Sequence, residues 1–98
     1  MKYISGPITN FDSSIQKKNL ERFYEIEKRL GEKCLNPADH GDSSDRSYES
    51  YLVQDIILIF ENRPDMYMMV GWADSRGARL EHELAEQLGL KIEYEMLK

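Results

Sequence analysis

The chain has 98 residues, near the lower end of what one hydrophobic core supports, so a single domain over residues 1–98 is expected. Its formal net charge of −5 argues against binding to a nucleic acid polymer, because such binding needs a basic surface. No apolar run is long enough to span a membrane, and no signal-peptide pattern is present, so no membrane partner is expected. The lone Cys34 is typical of a small core residue in a reducing compartment, which predicts a cytoplasmic protein.

Apolar and polar residues follow one another in a β-α-β-α-β-α-β order. Strands and helices are predicted, in turn, over residues 1–5, about 12–30, 33–35, 48 to about 62, 65–70, about 75–87 and 90–94. Gly31 and Gly89 are placed to end the first and third helices, and Ser47 to begin the second. The polar, acidic stretch from 38 to 47 is typical of a mobile loop.

Alternating strands and helices favour a parallel sheet with helices on both faces. Right-handed crossovers leave few topologies, so we expect a flavodoxin-like or Rossmann-like three-layer α/β sandwich. Its four-stranded parallel sheet would have the order 2-1-3-4. In such sheets the ligand crevice lies beyond the carboxyl ends of the strands, which here are Ser5-Gly6-Pro7, Asn36-Pro37 and Gly71-Trp72.

The segment from Gly71 to Glu81 carries the strongest functional signal. At about 100° per residue, Glu81 falls in the arc that would otherwise be the buried face of the third helix. Its neighbours in that arc are apolar: Ala78, Leu84, Ala85 and Leu88. A carboxylate in such a position loses hydration, so its charged form is disfavoured unless a nearby group stabilises it. A specific role for Glu81 is therefore expected.

The second helix holds another inward carboxylate, Asp55. It projects among the apolar side chains of one stripe: Tyr48, Tyr51, Leu52, Ile56 and Ile59. The opposite arc is also apolar, since it holds Val53 and Ile57, although a helix that covers one sheet face needs no second apolar face. Because so short a chain builds little core, we expect this extra surface to form a contact in a homo-oligomer.

Inward carboxylates on two helices, with Asp74 near the start of the third, suit a displacement at the anomeric carbon of a sugar. Retention of configuration needs one carboxylate as nucleophile and a second acid for the proton of the leaving group. A nearby negative charge also stabilises the oxocarbenium-like transition state. If the leaving group is a nucleobase, an aspartic acid near its ring nitrogen can protonate it. The candidate catalytic residues are Glu81, Asp55 and Asp74.

Aromatic side chains and a helix N-terminus are candidates for binding the rest of a nucleotide. Tyr3 and Trp72 offer stacking surfaces for a base. The third helix begins with Ser75, Arg76 and Gly77, which can hold a 5′-phosphate. Ser5 and Gly6 give a weaker phosphate-loop signal, because the following proline lacks an N–H.

Each of these residues also fits a structural role. Asp74 or Ser75 fits a simple N-cap, and Asp55 fits a wet edge or an ion pair. Glu81 fits the solvated rim of its helix. Aromatic residues such as Tyr3 and Trp72 are more often packing residues than stacking surfaces.

No metal or other cofactor is expected. His40 lies among aspartates, but their spacing fits no EF-hand. No set of cysteine and histidine residues has the spacing of a zinc site.

The residues described so far resemble the pattern of a small phage and bacterial protein family. That family is grouped with the nucleoside 2-deoxyribosyltransferases and the 2′-deoxynucleoside 5′-monophosphate N-glycosidases. The resemblance covers nearly the whole chain and depends on residues 3–9, 36–38, 47–55 and 71–81. Its most specific part is the segment from Gly71 to Glu81.

The resemblance implies roles for individual residues. Glu81, four residues after Gly77, matches the nucleophile of the deoxyribosyltransferases. Asp74 matches a residue that positions the sugar or base, Asp55 one near the nucleobase, and Tyr3 one that lines the site. The resemblance also implies a flavodoxin-like fold and an oligomer in which a neighbouring subunit helps to close each site.

These observations support three functional hypotheses. The first is an enzyme that cleaves or exchanges the N-glycosidic bond of a 2′-deoxynucleoside or its 5′-monophosphate. With water as acceptor it is a hydrolase, and with a second base it is a transferase. The second is a non-catalytic protein that senses or sequesters a nucleotide or an ADP-ribose-like signal. The third, a structural oligomeric module, leaves the inward carboxylates unexplained.

Overall fold

The computed structural model describes residues 1–8, 12–37 and 48–96. The elements are β1 (Lys2–Ser5), α1 (Ser13–Leu30), α2 (Tyr48–Asn62), β2 (Asp65–Met68), a 3₁₀ turn (Trp72–Asp74), α3 (Arg76–Leu88) and β3 (Ile92–Tyr94). The predicted loop from 38 to 47, with the predicted N-cap Ser47, lies outside the described residues. Within the described part of the chain, no helix combines the length and apolar character needed to cross a membrane.

Among the described residues the sheet has three strands in the order β1-β2-β3, so the predicted four-stranded, flavodoxin-like sheet of order 2-1-3-4 is wrong. The segment predicted as the second strand forms only an isolated parallel bridge, between Leu35 and Tyr3. The Leu35 N–H donates to the Lys2 carbonyl at 2.8 Å, and the Ile4 N–H donates to the Leu35 carbonyl at 3.1 Å. The next bond of a parallel ladder would need the N–H of residue 37, which is proline and has none. Pairing therefore stops after one bridge.

The three strands are parallel. β1 pairs with β2 from Lys2↔Asp65 to Ser5↔Met68, and β2 pairs with β3 from Met66↔Ile92 to Met68↔Tyr94. Successive side chains point to opposite faces of the sheet. One face packs against α1, and the core between them contains Ile4, Phe23, Ile26, Tyr67 and Met69. The other packs against α2 and α3 and holds Tyr3, Ile59, Met66, Met68, Ala78 and Ala85.

The helix ends follow local sequence rules. Asp12 caps α1 by accepting a hydrogen bond from the Ser14 N–H at 2.9 Å. Gly31 and Gly89 end α1 and α3 in the left-handed conformation, each with φ of 71°, which confirms the predicted ends. These caps fix where α3 begins and ends, and so which of its side chains face the sheet.

Candidate functional site

The buried face of α3 carries a carboxyl group toward the sheet. Glu81 is only 5% exposed and shares this face with three small residues: Gly77, Ala78 and Ala85. Small side chains let a helix lie close to the strands it covers. Glu81 therefore lies against β1.

Two hydroxyl groups of β1 bind this carboxyl group. The Tyr3 hydroxyl donates to Oε2 of Glu81 at 2.8 Å, and the Ser5 hydroxyl donates to Oε1 at 2.7 Å. Tyr3 and Ser5 are two residues apart on one strand, so both side chains point to the same face of the sheet. Both carboxyl oxygens are held, which fixes the orientation of the group.

Asp55 brings a second buried carboxyl group from α2 to the same place. It is 7% exposed, and it lies close enough to Tyr3 to raise the pKa of the tyrosine. Its negative charge acts on both Glu81 and Tyr3. The structure thus brings Asp55, Glu81, Tyr3 and Ser5 together, and we call these four residues the carboxyl cluster.

Burial dominates the acid–base properties of Glu81 and Tyr3. Loss of hydration raises the pKa of Glu81 from its ordinary 4.5 to about 7, although the hydrogen bond from Ser5 opposes this shift. The charge of Asp55 raises that pKa further, and the bond from Tyr3 lowers it. Burial also raises the pKa of Tyr3 well above its usual range, as do the charges of Glu81 and Asp55. At neutral pH, Tyr3 therefore stays a donor while Glu81 exists in both protonated and ionised forms.

A cavity of about 210 Å³ lies beside the carboxyl cluster. Its walls come from Tyr3 of β1, Asp55 and Leu58 of α2, and the segment 33–37. Sites for drug-sized ligands usually begin at about 300 Å³. The cavity is suited to a group the size of one base or one sugar rather than to an entire nucleotide.

The third predicted carboxylate, Asp74, is not part of the carboxyl cluster. It is exposed at the end of the 3₁₀ turn, where its N–H donates to the Gly71 carbonyl at 3.1 Å. Trp72, on the same turn, stacks on His82 with ring centroids 4.2 Å apart and an interplanar angle of 18°. A histidine ring therefore covers one face of the predicted stacking surface.

The predicted phosphate-binding residues Ser75, Arg76 and Gly77 lie at the start of α3, about one turn before Glu81. The Ser75 hydroxyl accepts a hydrogen bond from the Ala78 N–H at 3.4 Å, so it acts as the N-cap. Arg76 is exposed and Gly77 is buried.

Gly6 has a packing role in the structure. A Cβ atom at this position would lie 2.7 Å from the Cβ and Sδ atoms of Met69, closer than real contacts of this kind. Only glycine fits there without movement of Met69. This close approach gives Gly6 a packing role, and its predicted role in phosphate binding stays a prediction.

The partners of two side chains did not follow from the sequence. It assigned Ser5 to ligand binding, whereas Ser5 binds Glu81 directly. The shared face of positions 3 and 5 on a strand was the available signal. It also placed His82 on the surface, whereas the His82 side chain is only 14% exposed. No local sequence pattern indicates that His82 is mostly buried, because its burial depends on how closely α3 approaches β3.

Across residues 1–8, 12–37 and 48–96, no three histidine, cysteine, aspartate or glutamate side chains lie where they could hold a metal ion together. The carboxyl cluster itself supplies two carboxyl groups and two hydroxyl groups. These groups can donate a proton, accept one, or attack an electrophilic carbon.

Among the comparisons with known proteins, only the comparison with protein families gives a match. Neither a curated protein nor a solved structure matches the chain. Residues 1–94 match the sequence profile of a family described as Domain of unknown function (DUF4406), and this range includes the whole carboxyl cluster. The chain therefore belongs to the DUF4406 family.

Proposed function

We propose that this protein cleaves or exchanges the N-glycosidic bond of a 2′-deoxynucleoside or its 5′-monophosphate. The observation that carries the proposal is the buried carboxyl group of Glu81, held by hydroxyls at 2.7 and 2.8 Å with Asp55 beside it. Displacement at an anomeric carbon uses such a pair of carboxyl groups. The resemblance of residues 71–81 to deoxyribosyltransferases and deoxynucleotide N-glycosidases supports the same chemistry.

In the proposed reaction, Glu81 attacks C1′ of the deoxyribose as a carboxylate. A bond forms between its oxygen and C1′, while the bond from C1′ to the base nitrogen breaks. In the reactive state Glu81 is ionised and Asp55 is protonated, and Asp55 gives its proton to the departing base. Asp55 then removes a proton from water or from a second base, which attacks C1′ and releases Glu81. The small cavity favours water over a second base as the acceptor, and hence hydrolysis.

The remaining predicted residues are assigned to substrate binding. Ser75, Arg76 and Gly77 surround the N-terminus of α3, where backbone N–H groups and the helix dipole favour an anion such as a 5′-phosphate. Asp74 would hold a sugar hydroxyl or the base. Tyr3, which keeps its proton, would orient Glu81 throughout the reaction.

The test is base release from a panel of 2′-deoxynucleosides and their 5′-monophosphates, measured by chromatography. We expect Glu81→Gln to lower the rate by about 10³-fold or more, because an amide cannot replace the nucleophile. Glu83→Gln is the matched control, since Glu83 is an exposed glutamate of the same helix. Equal release by wild type and Glu81→Gln would contradict the proposal.

One observation favours a second candidate, a non-catalytic nucleotide-binding protein. Both oxygens of Glu81 already accept hydrogen bonds from the protein, and Asp74 is exposed. Such a protein would bind a nucleotide or an ADP-ribose-like signal in the same crevice. Tight binding in calorimetry without any release of base would support this candidate over the enzyme.

A further inference from the structure

A second polar cluster lies on α3 next to the carboxyl cluster but on a different side of the helix. His82 follows Glu81 and is turned by about 100° around the helix axis, toward β3. Its Nε2 atom lies 2.7 Å from the Tyr94 hydroxyl, and its Nδ1 atom lies 3.0 Å from Oε1 of Glu86. Both ring nitrogens are thus engaged.

The carboxylate of Glu86 determines which nitrogen carries the proton in the neutral ring. A carboxylate only accepts hydrogen bonds, so Nδ1 is the donor toward Glu86. Nε2 then has a free electron pair and accepts the proton of the Tyr94 hydroxyl. An acid, an imidazole and a hydroxyl in this order, with contacts within about 2.6–3.2 Å, form the arrangement that activates a nucleophile.

Packing holds the imidazole in this orientation. Trp72 stacks on one face of His82 with ring centroids 4.2 Å apart, and the Tyr94 ring lies 5.8 Å away. The His82 side chain is 14% exposed. Tyr94, by contrast, is 49% exposed, so a reagent from solution can reach this residue. The base is fixed while the nucleophile is accessible.

We propose that Glu86, His82 and Tyr94 form a second reactive site, in which Tyr94 accepts an acyl group from an activated ester. The Tyr94 oxygen forms a bond to the carbonyl carbon, and the bond between that carbon and the leaving oxygen breaks. The phenolic proton moves to Nε2 of His82 and from there to the leaving group. The negative charge of Glu86 disfavours an anionic phosphoryl donor, so the donor is an uncharged ester.

The test is acetylation by p-nitrophenyl acetate, with the modified peptides quantified by mass spectrometry. Tyr24 serves as comparator within the chain, because it is 46% exposed and thus nearly as accessible as Tyr94. General-base assistance accelerates such reactions by about 10²-fold or more, so Tyr94 should be acetylated about 100-fold faster than Tyr24. Equal acetylation of the two tyrosines would overturn the proposal.

Two variants test whether the acceleration comes from the cluster. His82→Asn should slow acetylation of Tyr94 by about 100-fold and leave that of Tyr24 unchanged. Glu86→Gln should slow it by about tenfold, because the carboxylate only orients the ring. Unchanged acetylation of Tyr94 in both variants would contradict the proposal.

Folding is checked separately. Trp72 is the only tryptophan of the chain, so its fluorescence reports whether the packing around His82 persists. If His82→Asn does not fold, Glu86→Gln still tests the proposal, since the Glu86 side chain is 59% exposed and makes few packing contacts. The assay contains no nucleotide, so its outcome is independent of the proposed base release.

Discussion

The carboxyl group of Glu81 accepts two hydrogen bonds and still holds its proton more tightly than a carboxyl group in water. The reason is that loss of hydration outweighs the bonds from Tyr3 and Ser5, and the charge of Asp55 adds to it. A nucleophile needs the ionised form. Folding therefore opposes the state of Glu81 that the proposed reaction uses.

This opposition predicts a pH-dependent stability. The folded pKa of about 7 exceeds the ordinary 4.5, so the contribution of Glu81 to stability is fully present below pH 4.5 and is lost as the pH rises through 7. At about 1.4 kcal/mol for each tenfold change in proton affinity, the total is about 3 kcal/mol. Relative to Glu81→Gln, wild type should lose about 2–3 kcal/mol of unfolding free energy between pH 5 and pH 8 in urea unfolding.

The comparison uses the difference between variants because other groups titrate in both chains and cancel. Glu83→Gln should keep the wild-type dependence on pH, since Glu83 is exposed. Parallel curves for wild type and Glu81→Gln would show that burial does not raise the pKa of Glu81.

Among the elements, the helices were predicted well from periodicity and caps. The strands were predicted less well. The three helices begin and end within about two residues of the predicted positions, because Gly31 and Gly89 end two of them in a conformation that favours glycine. The second strand failed for a non-local reason. Pro37 is visible in the sequence, but its effect depends on Leu35 lying opposite Tyr3, a register that local patterns do not contain.

The same limit applies to the candidate site. The inward position of Glu81 followed from its place on the helical wheel, as did that of Asp55. The hydrogen bonds from Tyr3 and Ser5 did not follow, because they depend on how α3 is placed along β1. Sequence patterns give the face on which a side chain lies, whereas its partner is set by packing.

Glu95, just after β3, joins three elements. Its Oε1 atom accepts a hydrogen bond from the Val70 N–H at 2.9 Å and lies 3.1 Å from Arg22, while Oε2 lies 3.1 Å from Arg29. Burial alone would raise the pKa of Glu95, but the Val70 N–H and both guanidinium groups lower it below its usual value. The residue thereby ties α1 to the ends of β2 and β3.

We expect Glu95→Gln to lower the free energy of unfolding at pH 7 by about 1–3 kcal/mol, because a neutral amide loses charge-assisted bonds to Val70, Arg22 and Arg29. The folded pKa is lowered, so the contribution of Glu95 is present above pH 4.5 and is lost as the pH falls through the folded value. Urea unfolding at pH 7 measures the first effect, and the difference between wild type and Glu95→Gln at decreasing pH below 4.5 measures the second.

Glu93→Gln is the control for this loss. Glu93 pairs with Lys2 at 3.4 Å near the surface, where an ion pair contributes about 1 kcal/mol at most. If Glu95→Gln costs no more than Glu93→Gln at pH 7, the bonds of Glu95 do not hold α1 to the sheet.

At the scale of the whole molecule, the outer side of α2 is an unusual surface. Asp55 faces inward, whereas three apolar side chains on the opposite side are about half exposed: Val53 at 55%, Ile57 at 48% and Phe60 at 55%. Their spacing places them in one stripe along the helix. We propose that a second copy of this chain covers this stripe, because so small a domain builds little core alone.

Ile57→Asp should therefore shift the protein toward monomers, since a charge buried in an apolar contact is unfavourable. Sedimentation velocity over a range of concentrations measures this shift. Ile15→Asp is the matched control, because Ile15 is a 43% exposed isoleucine on α1. A wild-type protein that is monomeric at every concentration, or equal effects of the two substitutions, would contradict the proposal.

The cavity has two walls of different kinds, because residues 36 and 37 leave the sheet edge after the single bridge at Leu35. One side is strand and helix, where Tyr3 and Asp55 cannot move without repacking the interior. The other side is loop, where insertions and replacements are tolerated far better. Substitutions along 33–37 can therefore change the shape of the cavity while Tyr3 and Asp55 keep their positions.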